Sequence, residues 1–206
     1  MITIEKLLTY DKNNLKDVSE SLNKDDVHQL IKWLNQKENT IRYYSLLLLQ
    51  HRSKLHGDIY PYWDVFLEKL NSDNSYQRNI GLILMAENAR WDQYGKLDKD
   101  INLYLSFCDD EKPITVRQCV QSLSLIVEHK QNLRTRILDK LISMDIMRRK
   151  ETQRKILLMD ILKVLVEIQK QTPNEEIEKY TQDAMTGGIL DREAKRKILR
   201  YMAGEV

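Results

Sequence analysis

The sequence predicts an all-α protein built from consecutive helix pairs, and three observations carry that prediction. Glycine and proline are scarce, at six and three among 206 residues, so few positions interrupt a helix. Apolar residues recur at intervals of three and four, as in Val27, Leu30, Ile31 and Leu34, or Val116, Cys119, Val120, Leu123 and Ile126, which is the spacing of one helix face. An arginine also returns at the same place in five successive segments. No stretch alternates apolar and polar residues between Asn-Gly or Asp-Gly turns, so nothing argues for a sheet.

Taken in order, the periodic segments fall at 26–35 and 40–54, 59–71 and 75–90, 98–108 and 113–129, 133–144 and 150–170, and 174–186 and 191–203. That makes about five helix pairs over residues 24–206, with residues 1–23 supplying a capping helix region. The prolines are placed as helix starters: Pro61 follows Asp58, Pro113 follows the acidic run 109–111, and Pro173 lies beside Thr172. A first helical turn needs no backbone donor, so proline is tolerated there. Thr172 and Glu175 have the spacing of a capping box, and Gly187-Gly188 reads as the turn between the last two helices. Gly81 falls inside a helix, where glycine costs about 1 kcal/mol relative to alanine. Its presence there predicts a close approach by another helix.

The recurring phrase is Ile41-Arg42-Tyr43-Tyr44-Ser45, Gln77-Arg78-Asn79-Ile80-Gly81, Val116-Arg117-Gln118-Cys119-Val120, Gln153-Arg154-Lys155-Ile156-Leu157 and Lys195-Arg196-Lys197-Ile198-Leu199. Its arginines stand 36, 39, 37 and 42 residues apart. This period approaches the roughly 40 to 47 residues of HEAT and armadillo repeats. On these residues the chain resembles the HEAT-repeat family over about residues 24–203. Ser45 and Gly81 keep the small residue that the family carries three positions after its valine-arginine pair, and the later pairs depart from it. Residues 74–92 and 110–123 are further similar to short bacterial HEAT-like proteins. The resemblance implies a right-handed α-α superhelix, a HEAT-like solenoid whose second helices line a concave face. It implies a protein-binding scaffold rather than a reaction.

Two columns of candidate residues follow. Arg42, Arg78, Arg117, Arg154 and Arg196 are expected to hold the stack together, because a guanidinium on a turn bonds carbonyls and carboxylates of a neighbouring repeat. The next residues, Tyr43, Asn79, Gln118, Lys155 and Lys197, are expected to face solvent and to meet a partner. Residues 131–170 hold ten basic to five acidic residues, and Arg148, Arg149, Lys150, Arg154 and Lys155 are closely grouped. That group is a candidate anion surface, although no aromatic residue is interleaved with it for base stacking. Ile198, Leu199, Tyr201 and Met202 either cap the core or form an apolar end for assembly.

Composition narrows the function classes. A net charge of +2 gives no overall pull toward nucleic acid or an acidic membrane. The longest apolar runs are far below the roughly 20 residues of a membrane span, and the amino terminus lacks a signal-peptide pattern. The expected location is cytoplasmic, with no membrane and no cofactor. Cys108 and Cys119 are too few for a disulfide framework, lack zinc-site spacing and sit on apolar faces. They also match no cluster-binding pattern. His28, His51, His56 and His129 are dispersed. Trp63-Asp64 and Trp91-Asp92 invite comparison with HEAT-like DNA glycosylases, but adjacent helical residues point about 100° apart, and the tryptophans read better as anchors between repeats. The expected partner is therefore another protein. Nucleic-acid binding, including repair of alkylated bases, is the alternative.

Overall fold

In the computed structural model, residues 1–205 are described. They are all-helical, with twelve α-helices and no strand among them. The chain divides into two compact units, Met1–Lys99 and Asp100–Val206. The first contains α1 (Ile4–Thr9), α2 (Leu15–Glu20), α3 (Lys24–Trp33), α4 (Asn39–Leu55), α5 (Trp63–Leu70) and α6 (Ser75–Glu87). Helix α7 (Lys96–Ser106) runs across the division. The second contains α8 (Pro113–His129), α9 (Arg134–Ile142), α10 (Glu151–Gln171), α11 (Glu175–Thr186) and α12 (Arg192–Met202). No helix among the described residues is long and apolar enough to cross a membrane.

Within the first unit α4 is packed by α1, α2, α3 and α6, and α5 pairs with α6. Local chemistry sets the starts of these helices. Asn23 caps α3 in a reciprocal capping box with Asp26, Glu38 caps α4 through the amides of Thr40 and Ile41, and Asn74 caps α6. Such side chains satisfy amides that have no partner within the helix. Trp63 and Phe66 of α5 are fully buried, each contributing about 1.5–3 kcal/mol. The predicted close approach at Gly81 is present. A β-carbon there would lie 2.7 Å from the backbone oxygen of Phe66 and 2.8 Å from Cδ2 of Leu70, so only glycine lets α6 settle onto α5.

Three boundaries differ from the periodic reading. Residues 60–62 form a 3₁₀ turn around Pro61, and α5 begins only at Trp63. Helix α6 stops at Glu87 because the Asn88 side chain turns back to the Leu84 carbonyl at 2.8 Å. At the start of α11 the cap is Asn174, which accepts from the amides of Glu176 and Ile177. Thr172 instead closes α10, so the expected Thr172–Glu175 capping box does not form.

In the second unit α10 is central and touches α8, α9, α11 and α12. Its buried residues, among them Leu157, Leu158, Ile161, Leu162, Val164 and Leu165, surround the helix, as expected of one with neighbours on every side. Helix α12 buries only Ala194 and Ile198. It is the most one-sided helix of the unit.

Candidate functional site

At the amino-terminal ends of α4 and α6, the first unit gathers aromatic and cationic side chains. Arg42 donates to the Gln36 carbonyl at 2.9 Å and to the Asn39 side chain. Its guanidinium also lies 5.7 Å from the centre of the Tyr76 ring. Tyr76 is 65% exposed and Tyr43 47%. Lys12 sits over the Tyr43 ring at 5.0 Å, and Tyr44 meets that ring edge-on at 6.1 Å. Cation–π pairing fixes the aromatic planes while leaving their edges open to solvent. Asn79, one turn into α6, is half-buried, and its Oδ1 has no hydrogen-bond partner among the described residues. The structure thus brings Arg42 together with Tyr76, which the repeat register does not single out. Tyr76 follows the Asn74 cap by two residues, so a solvent-facing aromatic beside a cap was the readable signal.

The other predicted contact residues belong to the second unit. Gln118 is half-buried and bonds Ser122 at 3.0 Å. Lys155 is exposed and pairs with Asp191, the cap of α12, at 2.8 Å. That pairing raises the lysine above its usual range and lowers the carboxylate below its own. Arg148 is exposed and pairs with Asp145 at 3.1 Å. Arg149 points inward, donating to the carbonyls of Cys108 and Asp110, both at 3.1 Å. Lys140 is paired with Asp109 nearby. The basic segment is therefore a mixed-charge surface whose arginines are already engaged.

The arginine column divides by partner. Arg42, Arg78 and Arg154 turn back on the segment preceding their own helix: Arg78 donates to the Ser72 and Asp73 carbonyls, both at 2.9 Å, and Arg154 to those of Arg149 and Met147 at 2.9 and 3.0 Å. These carbonyls lie just after a helix end, where a cation is favoured. Arg117 alone reaches a later second helix, meeting Asp160 of α10 at 2.7 Å, with Gln121 adding a 3.0 Å bond to the same buried carboxylate. Arg196 is exposed on α12 and has no partner among the described residues.

Ties between neighbouring helix pairs come mostly from residues that the register does not mark. Arg52 of α4 donates to the Ser19 and Glu20 carbonyls at the end of α2 and pairs with Asp58 at 2.8 Å. At the end of α4, the carbonyls of Ser53 and Lys54 receive the Trp91 indole and Arg90, both at 2.6 Å. Asn88 adds a 3.0 Å bond to Ser53. Asp58 apart, these partners stand 32 to 38 residues from each other, close to the repeat period, and that recurrence was the available clue. Asp92 accepts from the Tyr60 hydroxyl at 2.7 Å and from the amides that open α7. Asp64 pairs with Lys96 at 3.0 Å, and Trp63 is fully buried. Trp63, Trp91 and Asp92 are built into the packing, whereas Asp64 stays exposed.

Lys69 is a buried amine in the first unit. It is 6% exposed and donates to Asn35 and Gln77 at 2.6 and 2.5 Å, beneath a small cleft of about 190 Å³. Burial pulls its ammonium down to about 8. Because Gln77 also donates to the Leu34 carbonyl, the amine serves as a bridge joining the end of α3 to α5 and α6. His51 is lowered by burial and then by Lys54 and Lys16. The thiols of Cys108 and Cys119 are 3.6 Å apart and fully buried, and burial pushes Cys119 up. A raised thiol is a poor nucleophile. No group of three metal-ligating side chains occurs among the described residues.

The second unit also carries an apolar groove of about 550 Å³ between α11 and α12, floored by Val166 of α10 and walled by Ile177, Met185, Leu199 and Met202. Leu199 and Met202 are 53% and 46% exposed. No protein-family model and no curated protein matches this chain.

Proposed function

We propose that the protein is a HEAT-like helical-repeat scaffold that binds another protein without catalysing a reaction, and that Arg42, Tyr43 and Tyr76 form its contact surface in the first unit. The carrying observation is the Arg42 guanidinium held 5.7 Å from the centre of the exposed Tyr76 ring, with the exposed Tyr43 next to Arg42 in the chain. Tyrosine and arginine held in place by neighbours lose little entropy on binding and dominate the energetics of protein interfaces. The repeat reading is supported by how second helices meet within each unit: α4 touches α6, α8 touches α10, and α10 touches α12. Such succession is what a right-handed superhelix of helix pairs requires.

The nucleic-acid reading has less behind it. Arg149, Arg154 and Lys155 are occupied by carbonyls or by Asp191, which leaves few cations to replace the counterions of a phosphate backbone.

The test is co-purification from the native cell with the wild type and with a Tyr43→Glu, Tyr76→Glu double variant of unchanged helical circular dichroism. The expected result is a partner held by the wild type and lost by the variant. Equal recovery with both would place the contact elsewhere. Salt-dependent duplex binding by the wild type, weakened by Arg148→Glu, would favour nucleic acid instead.

A further inference from the structure

We infer that the groove between α11 and α12 seats a second copy of this chain, related by a two-fold axis that sets the basic α12 of each copy against the acidic α11 of the other. The surface stands apart from the Arg42–Tyr76 patch and does not depend on it. Its chemistry is that of an unsatisfied interface. Leu199 and Met202 are one helical turn apart on the same edge of α12, and both are about half exposed beside the apolar walls of Ile177 and Met185. Contiguous apolar surface of this kind marks a contact site.

Charge selects the occupant. Helix α11 carries Glu175, Glu176, Glu178 and Asp183 against Lys179 alone, whereas α12 carries Arg192, Lys195, Arg196, Lys197 and Arg200 against Glu193 alone. Some of these charges are answered locally: Lys197 pairs with Glu193 at 2.7 Å, Arg200 approaches Glu205 at 3.9 Å, and Glu178 accepts from Gln169. On α12 Arg192, Lys195 and Arg196, and on α11 Glu175, Glu176 and Asp183, have no ionic partner among the described residues.

A partner or lipid surface of one sign would match one helix and be repelled by the other. A copy of the same chain turned through a two-fold axis matches both at once, because an isologous interface brings surface i onto j and j onto i. In that arrangement Leu199 and Met202 of each copy lie against the groove wall of the other, covered from water. The charged rims set the register, as complementary rims do at interfaces generally.

The experiment is mass measurement of the full chain by light scattering from dilute to concentrated solution. The wild type is expected at twice the chain mass, falling to the monomer on dilution. Lys195→Glu with Arg196→Glu should be monomeric, and so should Glu175→Lys with Glu178→Lys, each with unchanged helical circular dichroism. Mixing the two variants should restore the doubled mass, since the reversed pair on α12 of one then meets the reversed pair on α11 of the other, and the remaining two helices keep their wild-type complementarity. A wild type at monomer mass throughout overturns the inference, as does a dimer that survives both reversals. A monomer that takes up an apolar dye, and loses it on Leu199→Asp, overturns it in favour of a small apolar ligand.

Discussion

The two units tie their second helices together in opposite ways. In the second unit the tie is an ion pair in mid-helix: buried Asp160 of α10 faces Arg117 of α8, and Gln121 adds a third bond. In the first, the buried acid of α6, Glu87, is hydrogen-bonded by the neutral amide of Gln50 on α4 at 3.3 Å, with the charges of Lys54 and Arg90 acting on it from further off. Burial pushes its carboxyl up. Further ties come from just beyond α6 to the end of α4, where Arg90 and Trp91 meet the backbone carbonyls of Lys54 and Ser53 and Asn88 meets the Ser53 hydroxyl. One repeat pattern therefore supports two kinds of joint, and the kind depends on whether an acid stands across from the arginine. From Arg117 that position, 43 residues on, is Asp160. The same step from Arg42 reaches Met85 and from Arg154 reaches Lys197, and both of those arginines turn back to their own turns.

The sharpest break in this comparison is Arg117→Ala. It leaves Asp160 buried with only Gln121 for company, and an uncompensated buried charge is costly. Chemical denaturation should show a loss of about 3 kcal/mol, against about 1 kcal/mol for Arg154→Ala, which removes hydrogen bonds to exposed-end carbonyls. Equal losses would mean that the ion pair adds nothing beyond turn closure.

In the first unit the comparable buried charge is Lys69. Its folded value, about 8, lies below the 10.5 of the unfolded chain, so between these values the unfolded state binds more protons and stability rises with pH. The difference in unfolding free energy between wild type and Lys69→Met should move in favour of the wild type by about 2 kcal/mol between about pH 7.5 and about pH 9.5. A difference that stays flat across that window would show the amine to be solvated.

Gly81→Ala tests the joint between α5 and α6. Its β-carbon meets the Phe66 oxygen, a backbone atom with little freedom to move, so urea unfolding should register a loss of about 2 kcal/mol. The smallest effect is a gain. Glu87→Gln keeps the shape of the side chain and removes a charge whose burial is unfavourable, so stability at neutral pH should rise by about 0.5–1 kcal/mol. The gain should vanish as pH falls through the raised value of Glu87 and the wild-type carboxyl becomes neutral too.

What the sequence made legible was local. Helix faces, the start at Pro113 and the close approach at Gly81 follow from spacing within a few residues, and most helix boundaries fall within two residues of the periodic reading. The arginine register was also visible, because a position that closes the same turn recurs at the same phase. Its partners were not. Whether a guanidinium turns back five residues or reaches forward 43 depends on what the next helix presents, and Arg149, grouped by charge with Arg148, faces the opposite way. The Arg42–Tyr76 pair was hidden for the same reason, since it joins residues that only the packing of α4 on α6 brings together.

The buried cysteine pair gives the protein a built-in clock. Cys108 and Cys119 are its only thiols, and neither meets solvent in the folded state. An aromatic disulfide reagent can therefore label the chain only when the core around α8 opens. At reagent concentrations where labelling outpaces reclosing, the rate of colour development reads how often the core around α8 opens.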